Sequence, residues 1–215
     1  MKIEFINVSS KEGLRNLTLE LKLNKVVLLR DPSENLSRAI LNAIVGLDEI
    51  WGGEIRIDDT GINDFLQKEP QIRSFGYIFD EGIMLSNLSL MENLMLPLRW
   101  LNPFLNENET RELIDSWMRT FGLDLDISQR PVCYHAGELK MLSFVRTLLI
   151  APKVLMIDDP YYMLNKPERE NLFRNLRALT SSYPMLIASL DDDFGDGFAD
   201  QIIDLSDFRD RFQRP

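Results

Sequence analysis

The chain has 215 residues, of which 45% are hydrophobic and 27% charged, with eleven glycines and ten prolines. This composition excludes collagen-like, low-complexity and wholly disordered chains, and the length suffices for one domain whose core needs no disulfide. A formal net charge of −10 opposes non-specific binding to nucleic acid, whose phosphates would be repelled, and the single cysteine, Cys133, suits a reducing cytosol.

The start, Met1-Lys2-Ile3-Glu4-Phe5, alternates like a strand and lacks the apolar run of a signal peptide. Strands are predicted over 2–8, 17–23 and 26–29, the last a wholly apolar run of the kind buried in a parallel sheet. A helix follows, with Leu36, Ala39, Ile40, Ala43 and Ile44 on one face and Gly46 at its end. Further strands are expected over 54–57 and 75–79. The stretch 84–135 reads as a helical subdomain. Within it, Ser89-Leu90-Met91-Glu92 is a capping box, and Leu113, Ile114, Trp117, Met118 and Phe121 recur at helical spacing. Another helix is predicted over 137–150, then an apolar strand over 154–157 that ends in Asp158-Asp159-Pro160. Pro167 starts a helix that turns Leu172, Phe173, Leu176 and Leu179 inward, and strands over 185–188 and 201–205 complete the pattern. Strand–helix alternation with buried apolar strands predicts a single α/β domain over 1–215, with a largely parallel sheet, an antiparallel β edge region and the helical subdomain inserted.

An apolar strand and turn, the helix Ile40-Leu41-Asn42-Ala43-Ile44-Val45-Gly46-Leu47, and the later strand Val154-Leu155-Met156-Ile157-Asp158-Asp159-Pro160 together resemble the ATPase subunit of an ATP-binding cassette (ABC) transporter, a P-loop NTPase fold. Gly76-Tyr77-Ile78-Phe79-Asp80 resembles that family's Q-loop, and Tyr134-His135-Ala136-Gly137-Glu138 its signature motif. Ala199-Asp200-Gln201-Ile202-Ile203-Asp204-Leu205 resembles its final strand. The run 91–98 is similar to cassettes that serve lipid and lipoprotein transporters.

A P-loop, G-x-x-x-x-G-K-[ST], wraps phosphates in backbone amides, neutralises them with its Lys and binds Mg²⁺ through its hydroxyl. The aligned segment is Asp31-Pro32-Ser33-Glu34-Asn35-Leu36-Ser37-Arg38. Asp31 stands for the first Gly, Leu36 for the second, Ser37 for the Lys and Arg38 for the hydroxyl residue. Two carboxylates have entered a loop that should receive polyphosphate, and at 4 Å each like-charge contact costs about 4 kcal/mol at an effective dielectric of 20. Arg38 returns a positive charge, but one helical step, about 100°, from the lost Lys. Read locally, Asp31-Pro32-Ser33-Glu34 is a helix start. It has an Asp N-cap kept out of the α region by the following Pro, and its carboxylates satisfy amides that would otherwise receive phosphate.

Set against the family pattern, the other positions are altered too. Asp158 matches the Mg²⁺-binding Asp, and Asp159 is one methylene shorter than the family's catalytic Glu. Asp80 replaces the Q-loop Gln, and Leu190 replaces the His that senses the γ-phosphate and cannot donate a hydrogen bond. In the signature, His135 replaces Ser, Ala136 replaces Gly, Gly137 is kept and Glu138 replaces Gln. No stacking aromatic stands within 9–13.

Cys133 and His135 are too few for zinc, and Asp191-Asp192-Asp193-Phe194-Gly195-Asp196-Gly197 lacks calcium-loop spacing, so it reads as a solvated turn and no metal site is assigned. Met84, Leu85, Met91, Met95, Trp100 and Phe104 read as core, although adaptable Met-rich surface beside the Q-loop also suits a docking helix. The resemblance implies a degenerate cassette, a pseudo-ATPase, with a structural or regulatory role in a transporter complex. Its partners would be a second cassette, as homo- or heterodimer, and a membrane permease on the Q-loop and helical-subdomain surface, with no nucleic acid. It would lie in the cytoplasm, peripheral to the inner face of the plasma membrane. No cofactor is expected at its own P-loop, with Asp158 and Asp159 a vestigial Walker B pair. The alternatives are an active transporter ATPase with atypical motifs, which would use ATP and Mg²⁺, and a soluble non-transport cassette.

Overall fold

The computed structural model describes residues 1–31, 35–68, 71–191, 194–195, 197–206 and 208. Strand β1 (Lys2–Ser10) pairs antiparallel with β2 (Leu17–Lys22) on one side. The chain then enters β3 (Val26–Arg30) and α1 (Asn35–Ile44), and returns through β4 (Ile50–Ile57) to the other side of β1, with the short β5 (Thr60–Gly61) at the edge. Two short helices, α2 (Ile62–Lys68) and α3 (Gln71–Ser74), lead to β6 (Phe75–Ile78). Helices α4 (Leu90–Leu101), α5 (Glu107–Thr120) and α6 (Ala136–Leu148) follow, with a 3₁₀ turn (Pro131–Cys133) before the last. The chain closes with β7 (Val154–Asp158), α7 (Lys166–Leu179), β8 (Met185–Ser189) and β9 (Gln201–Asp204). Among the described residues these strands form an antiparallel sheet, β2-β1-β4-β5, and a parallel sheet, β6-β7-β8-β3-β9.

Strand periodicity divides the core into two. Val26 and Leu28 of β3, Leu155 and Ile157 of β7, and Met185 and Ile187 of β8 face α4–α7. Their neighbours Val27, Leu29, Val154, Met156, Leu186 and Ala188 face α1 and the antiparallel sheet, where Phe5, Ile40 and Ile44 are buried. Burial on both faces is why β7 and β8 read as unbroken apolar runs. The parallel strands end together at Arg30, Ile78, Asp158 and Ser189, and in such sheets the carboxyl edge is where ligands bind.

The expected capping box on α4 is present: Ser89 Oγ accepts from the Glu92 N–H at 3.2 Å, and Glu92 Oε2 from the Ser89 N–H at 2.7 Å. Four expectations need correction. Strand β4 begins at Ile50, four residues earlier than read, because Ser9 and Ser10 give it partners across an irregularity in β1. Gly53 serves that irregularity: with φ at +77°, it lies where a Cβ would meet the carbonyl oxygens of Ile6 and Asn7. Helix α2 is not among the predicted elements: it is seven residues long and none of them is fully buried, although Ile62 and Phe65 pack at the margin of the core. The Met/aromatic group is divided rather than core throughout: Met95 is buried and Met84 and Met91 pack at the margin, but Leu85, Trp100 and Phe104 are exposed, the last at 94%. The acidic turn after β8 is not simply solvated, since Phe194 is buried against Tyr161 and Phe198, while Asp192, Asp193 and Asp196 lie outside the described residues.

Candidate functional site

Asp31 directly follows β3 and lies under the start of α1. Its side chain is 1% exposed, and Oδ2 accepts from the backbone N–H groups of Leu36 at 2.8 Å and Ser37 at 3.0 Å. The carboxylate does satisfy helix-start amides, as the sequence suggests, but they belong to the fifth and sixth residues after it. A conventional N-cap reaches the second or third. Asp31 therefore takes two amides at the start of α1; the rest of the expected cap, Pro32, Ser33 and Glu34, lies outside the described residues, and Asn35 opens the described span of α1.

Arg38, one residue beyond Ser37, turns toward the strand ends. Its Nε stands 2.8 Å from Asp158 Oδ2, and its Nη2 donates to Asp80 Oδ2. Asp158 ends β7 and is buried; Asp80 follows β6 and is partly buried. Burial pushes the Asp158 carboxyl up to about 6, with Asp80 adding to the rise and Arg38 and Lys140 opposing it. Burial works against the Arg38 charge, but Asp158 and Asp80 outweigh it and hold the guanidinium above its ordinary value. The space left among Ser37, Arg38, Asp158, Asp159, Ser189 and Leu190 is about 10 Å³, room for about one water.

Lys140 was not singled out by its sequence context. It lies on α6, fully buried, and Nζ donates to the backbone oxygens of Phe79 at 2.7 Å and of Asp158 and Asp159, each at 3.1 Å. Burial lowers its ammonium to about 8. The available signal was a lone charge among the apolar Leu139, Met141, Leu142, Phe144 and Val145. Gly82 lets the segment after Asp80 lie directly on this helix: a Cβ there would stand 2.2 Å from the Lys140 nitrogen. Asn93, also missed, is buried on α4 and anchors the same segment, with Oδ1 accepting from Leu85 N–H at 2.7 Å and Nδ2 donating to Leu85 and Ser89 oxygens at 3.1 and 2.9 Å.

The structure thus brings Asp31, Ser37, Arg38, Asp80, Asp158, Asp159 and Leu190 to one sheet edge. Asp159 adopts φ +35°, its N–H bonded to Ala188 oxygen at 2.9 Å, and Leu190 lines the small space without any polar atom of its side chain to offer. The signature residues form a second cluster at the start of α6. His135 caps that helix, Nδ1 accepting from the Glu138 N–H at 3.3 Å while Glu138 Oε2 accepts from the His135 N–H at 3.0 Å. This capping box, H-x-x-E, is one that the motif reading passed over. His135 Nε2 lies 3.6 Å from Glu138 Oε2 and 3.6 Å from Glu168 Oε1. Ala136 opens the helix, and at Gly137 a Cβ would meet the Glu168 carboxylate at 2.6 Å.

A P-loop donor set for Mg²⁺–ATP needs free amides, a Lys and a metal-binding hydroxyl. The residues here do not fit it. Asp31 holds two of the amides, Ser37 stands for the Lys, and Arg38 puts a cation between the carboxylates where the hydroxyl residue belongs.

A family model described as ABC transporter matches residues 38–162, more than half of the chain. The chain belongs to the ABC transporter family. Similar proteins include the glutamine transport ATP-binding protein GlnQ of Escherichia coli, 27% identical over 94% of this chain and 86% of that one. The sulfate/thiosulfate import ATP-binding protein CysA of Bacillus cereus is 25% identical over 85% of this chain and 52% of CysA, so this cassette spans about half the length of that relative. The lipoprotein-releasing system ATP-binding protein LolD of Francisella tularensis is 26% identical over 86% and 76%. Among solved structures, a dimeric post-hydrolysis state of the ATP-binding cassette MJ0796 bound to ADP and Pi superposes at a TM-score of 0.80, with 21% identity over 94% of this cassette and 93% of that chain. The expected ABC cassette fold, with its parallel and antiparallel sheets, is the observed one. Among the described residues, no helix is long and apolar enough to cross a membrane.

Proposed function

We propose that this cassette is the ATP-binding-type subunit of a transport complex and that its own P-loop site is a pseudo-ATPase site with a structural or regulatory role. One observation carries the reading: the Asp31 carboxylate sits on the Leu36 and Ser37 amides, so a phosphate approaching the helix start meets a buried negative charge instead of free donors. Asp159 and Leu190 support it: the Asp159 carboxylate is one methylene shorter than the family's Glu, and the Leu190 side chain has no hydrogen-bond donor.

The complex would hold a second cassette and a membrane permease at the cytoplasmic face. The permease surface is the groove of about 300 Å³ between the sheet and the helices, walled by Leu47, Tyr77, Phe79, Pro97, Arg146 and Ile150. The similarity to a lipoprotein-releasing cassette and the run 91–98 support a lipid or lipoprotein cargo, against glutamine and sulfate for other relatives at 25–27% identity. Calorimetric titration with Mg²⁺–ATP, together with a phosphate-release assay, tests the central claim. No binding heat and no turnover are expected. Micromolar binding, or turnover abolished by Asp158→Asn, would overturn it and return the chain to the active ATPases.

A further inference from the structure

We infer that Arg38 is a built-in cation that latches the segment 79–89 to the sheet edge, so that the groove walls and the helices α4–α6 are held in place without nucleotide or metal. The inference rests on the pseudo-ATPase reading only for its functional consequence; the latch itself is a property of this chain.

Asp80 follows β6, Asp158 ends the neighbouring β7, and both place their Oδ2 atoms at one guanidinium. Without it, two carboxylates drawn to one place would repel each other. Arg38 comes from a third element, α1, so the pair of contacts joins α1, β7 and the segment after β6 through a single side chain. Asp158 is buried and Asp80 partly so, while the Arg38 side chain is 40% exposed, so the Asp158 contact is the better protected of the two from the screening that makes surface pairs weak.

The next residues carry the constraint outward. Phe79 gives its carbonyl to buried Lys140 of α6 and lines the groove. Gly82 lies against the α6 backbone, and Leu85 is bonded on both its N–H and its oxygen to Asn93 of α4. Arg38 is thus the first contact in a continuous series that runs from the sheet edge to both helices facing the groove. A divalent cation held by two carboxylates and water would make the same bridge. Here the bridge is covalently part of α1 and cannot dissociate. The cassette then presents its docking groove constitutively and acts in its complex as a half that is always engaged.

Hydrogen–deuterium exchange of the full chain, read at the amides of 79–89, tests this. In the unaltered protein, exchange there should be the same with and without Mn²⁺. Arg38→Ser should speed it at least tenfold, and Mn²⁺ alone should reverse the gain by bridging Asp80 and Asp158. Arg38→Lys keeps a charge and should speed exchange less. Asp80→Asn removes one ligand and should speed exchange without gaining a Mn²⁺ response, which keeps the test decisive if Arg38→Ser fails to fold. The latch is overturned if Arg38→Ser or Asp80→Asn exchanges like the parent, or if Mn²⁺ alone slows exchange in the unaltered protein. Titration with Mg²⁺–ATP fails or succeeds separately: nucleotide binding with the latch intact would refute the pseudo-ATPase reading and leave the latch standing.

Discussion

Replacing Asp31 by Ala removes a buried carboxylate that accepts two backbone hydrogen bonds, at 2.8 and 3.0 Å. Hydrogen bonds to a charged group contribute about 1.5–3 kcal/mol each, whereas losing a simple helix cap costs about 1 kcal/mol. Removing the carboxylate also relieves the cost of keeping a charge out of water, so the net loss lies between those limits, at about 2 kcal/mol. For a chain of this size that lowers the thermal midpoint by about 4–8 °C. Urea melts of Asp31→Ala and the parent, each with and without Mg²⁺–ATP, provide the assay. Lower stability with no nucleotide effect is the expected outcome. A vestigial nucleotide pocket would behave in the opposite sense. Removing its repelling charge would leave stability unchanged and let ATP raise the midpoint, by about 2.7 kcal/mol of stability at a hundredfold excess over Kd. That result would refute the argument from the occupied amides. Ala is preferred to Asn, because Asn is itself a good cap.

Ser37→Lys, which restores the P-loop Lys alone, should give no phosphate release, because Asp31 still holds the amides and Arg38 the cation position; measurable turnover would show that the lost Lys was the sole defect. Lys140 should impose a pH dependence. Its ammonium is lowered to about 8 in the fold and stands near 10.4 when unfolded. Between these values the unfolded chain binds more protons, so stability rises with pH, by up to about 1.4 kcal/mol per unit, and the slope vanishes below about 8. Chemical denaturation across pH 7–10 should therefore show a slope in the parent that is absent from Lys140→Met, and equal slopes would refute the assignment. Gly82→Ala should destabilise by more than about 2 kcal/mol, since its Cβ would meet the α6 backbone at 2.2–2.5 Å. A melt within about 0.5 kcal/mol of the parent would show that the segment shifts freely off α6.

Some of this protein is legible in the chain alone because the information is local. The Ser89–Glu92 cap joins residues three apart, and β7 and β8 declare themselves as apolar runs because each strand is covered on both faces. Local reading also found Asp31, Ser37, Arg38, Asp80, Asp158, Asp159 and Leu190, since motif order along the chain aligns them one by one, but not Lys140. It did not find what they do to each other. Arg38 and Asp80 are 42 positions apart, and Lys140 lies 18 and 19 positions before the two carbonyls it caps at the end of β7. Helical geometry placed Arg38 about 100° from the lost Lys but was silent on which carboxylates it would reach. The folded arrangement decides that: β6 lies beside β7, and the segment after β6 brings Asp80 to the same guanidinium as Asp158. The outward turn of Trp100 and Phe104 was likewise settled only by packing. An apolar side chain is buried where another element covers it, and α4 and α5 bury Leu94, Met95 and Ile114 while leaving those two aromatics uncovered. Hydrophobic pattern along one segment specifies which residues can be buried together; the surface that meets them comes from elsewhere in the chain, and only the folded arrangement supplies it.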